Sequence, residues 1–114
     1  MDALDKHEVY SWGRGNVGQT CNPKCNDTNT PKMVEQLKNY TIVDIAAGGG
    51  HSACIDSQGV LYTFGRGRHG QLGRGDQVES IAAYRVDPTP VEYLFGKKVK
   101  QVACGADHTI ALVE

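Results

Sequence analysis

Short runs of large apolar residues, each closed by glycine, recur along this chain. Val9, Tyr10 and Trp12 precede Gly13, and Leu61, Tyr62 and Phe64 precede Gly65. Four-residue runs of β-branched, aromatic or large apolar type that end in glycine predict short strands. Ile42 to Ala46 and Val99 to Ala103 mix apolar and polar positions and predict half-buried strands. His51 to Ile55 and His108 to Leu112 are apolar enough to predict nearly fully buried ones. Asp56-Ser57-Gln58-Gly59 predicts a turn that makes a hairpin of the His51 and Leu61 strands. Only Thr30 to Asn39 reads as helical. Thr30 suits a cap, Pro31 suits the first helical position, and Met33 and Leu37 lie four apart, which is enough for one short turn.

The same pattern occurs twice. Val9-Tyr10-Ser11-Trp12-Gly13-Arg14-Gly15-Asn16-Val17-Gly18-Gln19 returns 52 residues on as Leu61-Tyr62-Thr63-Phe64-Gly65-Arg66-Gly67-Arg68-His69-Gly70-Gln71. Val43 to Ala53, with Gly48 and His51-Ser52 inside it, returns 57 residues on as Lys100 to Ile110, with Gly105 and His108-Thr109. The change of offset places a net insertion of five residues in the polar stretch Gly73 to Pro90. A weaker echo relates Pro31 to Leu37 with Pro90 to Leu94. The domain organisation read from this is a lead-in at 1–8, one repeat at 9–60 and a second at 61–114. Units of about 50 residues with several short strands each are the sequence signature of β-propeller blades.

An aromatic-Gly-x-Gly-x-x-Gly-Gln motif, followed downstream by Ala-x-Gly-x-x-His-Ser/Thr, resembles the regulator of chromosome condensation family. The resemblance covers residues 9 to 114. Its structural positions here are Trp12, Gly13, Gly18, Gly48, His51, Phe64, Gly65, Gly70, Gly105 and His108. It implies an all-β chain of propeller blades of the seven-bladed type. The first copy departs from the pattern at Thr20-Cys21, where Leu-Gly belongs, so its loop is expected to leave the blade differently.

Charge and cysteine usage narrow the setting. Twelve Lys+Arg against thirteen Asp+Glu give a net charge of −1, which removes the basic excess of a general nucleic-acid or anionic-membrane binder. The longest uncharged stretch, Ile45 to Ile55, is eleven residues with three consecutive glycines, too short to span a bilayer. The charged N-terminus does not read as a secretory leader, so a cytoplasmic or nuclear location is expected. There the four cysteines are expected as free thiols. Cys54 and Cys104, within apolar runs, are expected in the core. Cys21 and Cys25 lie in a polar loop and are expected as exposed thiols. Their C-x3-C spacing lacks the second pair that a structural zinc site needs, and no metal is expected.

Three motifs resemble chemistry. Gly13 to Gly18 and Gly65 to Gly70 both satisfy G-x-G-x-x-G. No helix can open at Gln19-Thr20-Cys21-Asn22-Pro23 or at Gln71-Leu72-Gly73, so the pyrophosphate cradle is missing and no cofactor is expected. His51-Ser52 and His108-Thr109 hold the side chains of a nucleophilic dyad, yet their recurrence at the same repeat position predicts a blade-stabilising hydrogen bond, with no catalytic residue. Arg66, Arg68, His69 and Arg74, echoed only by Arg14 in the first copy, form the dense basic patch. It is read as a candidate partner-binding loop, against the plainer reading of a solvated arginine loop beside Asp76 and Glu79.

Two blades leave edges and inner faces exposed, and repeat folds bury a continuous core with three or more units. The chain starts on the Trp12 strand and ends on the His108 strand, complementary halves of a divided blade. It is expected to be either a segment of a longer propeller or a module completed by self-association of two, three or four copies. The expected function is non-enzymatic, with loops presented to a protein partner. The resemblance also implies two alternatives. One is guanine-nucleotide exchange on a small Ran-type GTPase; the other is chromatin or nucleic-acid attachment through the Arg66 to Arg74 loop.

Overall fold

Three antiparallel sheets lie side by side along the chain in the computed structural model, which describes residues 7–13, 15, 19, 21, 27–67, 70–73 and 84–114. The first sheet pairs β1 (Tyr10–Gly13) with β2 (Thr28–Met33). The second has the order β3 (Ile42–Ala47), β4 (His51–Asp56), β5 (Leu61–Arg66), β6 (Tyr84–Pro90). The third pairs β7 (Val99–Cys104) with β8 (Thr109–Val113). The central sheet is a four-stranded meander that takes β3 and β4 from the first sequence repeat and β5 and β6 from the second. Half-sheets flank it on both sides.

The strands predicted at Tyr10, Ile42, His51, Leu61 and Val99 form where the pattern placed them, and β4 and β5 make the expected hairpin. Asp56 fixes its turn. One carboxylate oxygen accepts the backbone N–H groups of Gln58 and Val60, and the other accepts the Tyr62 hydroxyl. Strand β4 is buried almost throughout, as expected. Strand β8 is not. Its residues alternate, and Ile110 and Leu112 are 65% and 54% exposed, because β8 pairs with β7 alone while its counterpart β4 is covered on both sides.

The one short helical turn expected within Thr30 to Asn39 forms, but the cap and first-position roles expected of Thr30 and Pro31 need correction. Thr30 and Pro31 lie in β2, and helical geometry is confined to a single 3-10 turn at Glu35–Leu37, which no side chain caps. An equivalent turn forms at Glu92–Leu94 after β6. Proline misleads here because β2 and β6 each lie at a sheet edge and pair on one side, where a missing N–H is tolerated.

Two apolar clusters join the sheets. Cys21, Val34, Leu37, Ile42, Cys54, Tyr62 and Phe64 fill the first seam, and Ala53, Ile55, Leu61, Val91, Val99 and Val102 fill the second. Successive residues of β4 and β5 point to opposite faces of the sheet, so Cys54, Tyr62 and Phe64 serve one seam while Ala53, Ile55 and Leu61 serve the other. Cys104 is half-buried at the rim of the second cluster, a correction to its expected place in the core.

Candidate functional site

His51 opens β4 and is 0% exposed. Its Nε2 lies 3.1 Å from the His108 carbonyl and 2.9 Å from Thr109 Oγ1, which fastens the central sheet to β8 of the next. The Thr109 hydroxyl has one proton and donates it to the Gln71 carbonyl at 2.7 Å, and the His108 carbonyl can only accept. Nε2 therefore carries the imidazole hydrogen, while the buried Nδ1 has no hydrogen-bond partner. Burial lowers the His51 pKa below its ordinary value, outweighing the opposite effect of the bond to His108, so the ring is neutral at pH 7.

The first repeat makes the matching bond. Ser52 Oγ donates to the Gln19 carbonyl at 2.7 Å. Ser52 corresponds to Thr109, and Gln19 corresponds to Gln71. The recurring Gly-Gln and His-Ser/Thr pairs thus belong to one hydrogen-bonding device, built once per repeat. Both hydroxyl protons are directed at backbone carbonyls, so neither oxygen is activated by an adjacent base as nucleophilic chemistry requires. The glutamine carbonyls are functional parts that the sequence reading passed over, although the doubled Gly-Gln spacing signals them.

Gly48 and Gly105 make room for the histidines. A Cβ on Gly48 would collide with the Gly105 carbonyl oxygen and come within 2.7 Å of His51 Cε1, and a Cβ on Gly105 would meet the His108 ring. Gly65 has φ +104° and lies opposite His51 in the β4/β5 ladder, where a Cβ would fall 2.8 Å from His51 Cα. Gly13 has nearly the same φ, +102°, with nothing within 4 Å. Phe64 is buried; its counterpart Trp12 is 59% exposed.

Cys21 is buried in the first seam, which corrects its expected exposure. Burial pushes its thiol up to about 12, and that of Cys54 likewise to about 12. The loop expected to leave the blade differently runs through residues 16–18, 20 and 22–26, which lie outside the described residues. Cys21 has φ +61°, the left-handed backbone that Gly73 holds at +70° in the second repeat. A side chain carries a strain cost in this region.

The basic loop is reached only in part. Arg66 ends β5 and is exposed, and its backbone N–H bonds the Gly50 carbonyl at 2.8 Å. Arg14, Gly18, Cys25, Arg68, His69 and Arg74 lie outside the described residues. Gly70 has φ +79° with open space around it, and Asp107 is exposed. Among the described residues there is no group of three or more His, Cys, Asp or Glu placed to hold a metal. No helix among them is long and apolar enough to cross a membrane.

The signature described as the regulator of chromosome condensation (RCC1) repeat matches residues 6–55 and 58–112. The chain belongs to the RCC1 repeat family. A second signature of the family matches residues 42–71, the segment that carries β3, β4 and β5. Human E3 ubiquitin-protein ligase HERC2 is 40% identical over 99 residues, which is 87% of this chain and 2% of that protein. The ultraviolet-B receptor UVR8 of Arabidopsis thaliana is 36% identical over 107 residues, 94% of this chain and 23% of the receptor. Among solved structures, human WBSCR16 superposes with a TM-score of 0.79 at 27% identity, over 96% of this chain and 27% of that one. Prp20p of Saccharomyces cerevisiae gives the same TM-score at 21% identity over 97% and 27%, and shares the fold. The chain therefore spans between 2% and 27% of the length of these proteins, and what it shares with the ligase is RCC1 repeat. Its fold is that of part of a β-propeller, and RCC1-type propeller blades are protein-interaction modules.

Proposed function

We propose that this chain is a non-enzymatic interaction module of RCC1-type blades, acting as a segment of a longer protein or completed by self-association, in the cytoplasm or nucleus. The observation that carries this reading is the use made of His51, Ser52 and Thr109. The side chains that would serve acid-base or nucleophilic chemistry are held in hydrogen bonds between sheets and to backbone carbonyls, which leaves recognition to surface loops. The loop of Arg14, Arg66, Arg68, His69 and Arg74 is the proposed partner surface. Relatives fit a protein partner. Prp20p has binding properties towards Gsp1p and histones, and Kap60 binds yeast RCC1 (Prp20).

Titration of the chain with a purified Ran-type GTPase, core histones and duplex DNA tests this. Binding to a protein should weaken at least tenfold when Arg66→Glu and Arg68→Glu are combined, with no acceleration of GDP release. Unchanged binding removes the loop as the partner surface. Faster GDP release would make the chain an exchange factor, and steeply salt-dependent DNA binding that charge reversal abolishes would make it a nucleic-acid module.

A further inference from the structure

The two connectors that lead from one sheet to the next share a backbone but not a surface. Glu35–Leu37 and Glu92–Leu94 are matching 3-10 turns, entered from Val34 and Val91 at φ −82° and −81°. Each is closed by the same backbone bonds, which run to the carbonyls of Val34, Glu35 and Leu37 in the first and of Val91, Glu92 and Leu94 in the second. The side chains differ. Where the first connector has Gln36 and Lys38, the second has Tyr93 and Phe95. Residues 92–100 also carry two net positive charges, from Lys97, Lys98 and Lys100 against Glu92, where residues 35–43 carry none. The first connector therefore shows that the fold requires neither the aromatic pair nor the lysines.

Tyr93 is 90% exposed and Phe95 is 56% exposed. Position 95 faces solvent in a complete seam as well, since the side chain of its counterpart Lys38 is 58% exposed beside the filled first seam. Leu94 corresponds to the seam residue Leu37 and is no part of this surface. Gln36 turns inward and donates to the Cys21 carbonyl at 3.0 Å. Tyr93, in its place, makes no hydrogen bond among the described residues, and none of Lys97, Lys98 and Lys100 makes an ion pair among them.

We infer that residues 92–100 form a second docking surface, which takes an acidic protein segment carrying an apolar side chain. Aromatic side chains, tyrosine above all, anchor contacts of this kind. The three lysines, without acidic partners of their own, complement carboxylates on either side of the apolar residue. The platform is preformed. Besides the bonds of the turn, the Val99 N–H donates to the Gly59 carbonyl at 3.0 Å. Lys98 packs so closely over the β4/β5 turn that a Cβ on Gly59 would meet its Cα at 3.0 Å. Little ordering is left for binding to impose. The surface is also separate from the arginine loop. Pro90, which leads into the turn, pairs with Tyr62 at one end of the β5/β6 ladder, while Arg66 pairs with Tyr84 at the other. The inference thus goes beyond the partner surface proposed above and does not depend on it.

Selection of a random displayed peptide library on the full chain, depleted against a chain carrying Tyr93→Gln and Phe95→Lys, tests this. Both substitutions install the residues of the first connector, so the fold accepts them. The peptides that survive should combine Asp or Glu with a central aromatic or aliphatic residue. A synthetic peptide of that kind should bind the wild type at least about tenfold more tightly than the double variant, the loss expected when hot-spot side chains are removed. Lys97→Glu combined with Lys98→Glu should weaken it by at least as much, and Arg66→Glu combined with Arg68→Glu should leave it unchanged. The inference is overturned if no peptide prefers the wild type, if the survivors lack acidic residues, or if the arginine variant loses the peptide. Phosphatidylserine vesicles that bind through Tyr93 in place of peptide would assign the surface to a membrane and overturn it as well. The partner-surface reading stands or fails separately, on Arg66 and Arg68.

Discussion

The Nε2–H of His51 donates to the hydroxyl of Thr109, 58 residues away, and this bond joins two neighbouring sheets. The same ring nitrogen also meets the His108 carbonyl. His51→Ala should therefore remove two contacts and open a cavity, costing about 2–4 kcal/mol. Thr109→Val should cost about 1–2 kcal/mol, because the Gln71 carbonyl loses its donor. A double-mutant cycle by urea denaturation should return a coupling of about 0.5–3 kcal/mol. Strict additivity would mean that the two residues do not act together.

Acid should loosen the fold through the same ring. An unfolded histidine titrates at about 6.5, while burial holds His51 below that in the folded chain. Between the two values only the unfolded state takes up the proton, so stability is complete above the unfolded pKa, declines as pH falls through it, and levels off below the folded pKa. Thermal midpoints measured from pH 8 down to 5 should fall for the wild type and fall less for His51→Gln, which keeps a donor but cannot titrate. Parallel curves for the two proteins would assign the acid sensitivity elsewhere.

Gly48→Ala should be among the most damaging single-methyl additions in the chain. The new Cβ meets a backbone oxygen on the neighbouring sheet and the His51 ring together, and backbone cannot move aside as a flexible side chain would. A loss of about 2–4 kcal/mol is expected, at or above the usual range for overpacking. Gly13→Ala in dilute monomer should cost only about 1–2 kcal/mol, from its positive φ alone. Equal losses in chemical denaturation would contradict the close approach at Gly48.

Thiol reactivity should divide by burial. Cys21 and Cys54 are enclosed and their thiols are pushed up to about 12, so the nucleophilic thiolate is scarce at pH 8. Cys104 is half-buried, and burial raises its pKa as well. Iodoacetamide labelling of the native chain, read by mass spectrometry, should leave positions 21 and 54 unmodified over the time in which position 104 reacts, with all three labelled in guanidinium. Rapid native labelling of Cys21 would return it to the exposed loop that the sequence alone implied.

Much of this architecture is legible without coordinates because the repeat writes it twice. The strand positions follow from Tyr10, Leu61, Ile42 and Val99 and their glycines, and the histidine device follows from its recurrence. The misreadings fall where burial is decided by a neighbour distant in sequence. Cys21 sits in a polar stretch, but the seam against Tyr62 and Phe64 closes over it. Ile110 and Leu112 look like core residues, yet the sheet that contains them has only two strands. Pro31 reads as a helix start, but an edge strand accepts it equally well.

By itself the sequence determined the repeat, its family and the local strand pattern, because glycine placement and apolar alternation act over a few residues. Tertiary structure alone decided that Gln19 and Gln71 receive the hydroxyl protons, that the first seam closes over Cys21, and that alternate residues of β8 stay exposed. Those relationships depend on which sheets become neighbours in space. The same repeat position is buried at Phe64, whose strand is flanked on both sides, and exposed at Trp12, whose strand pairs on one.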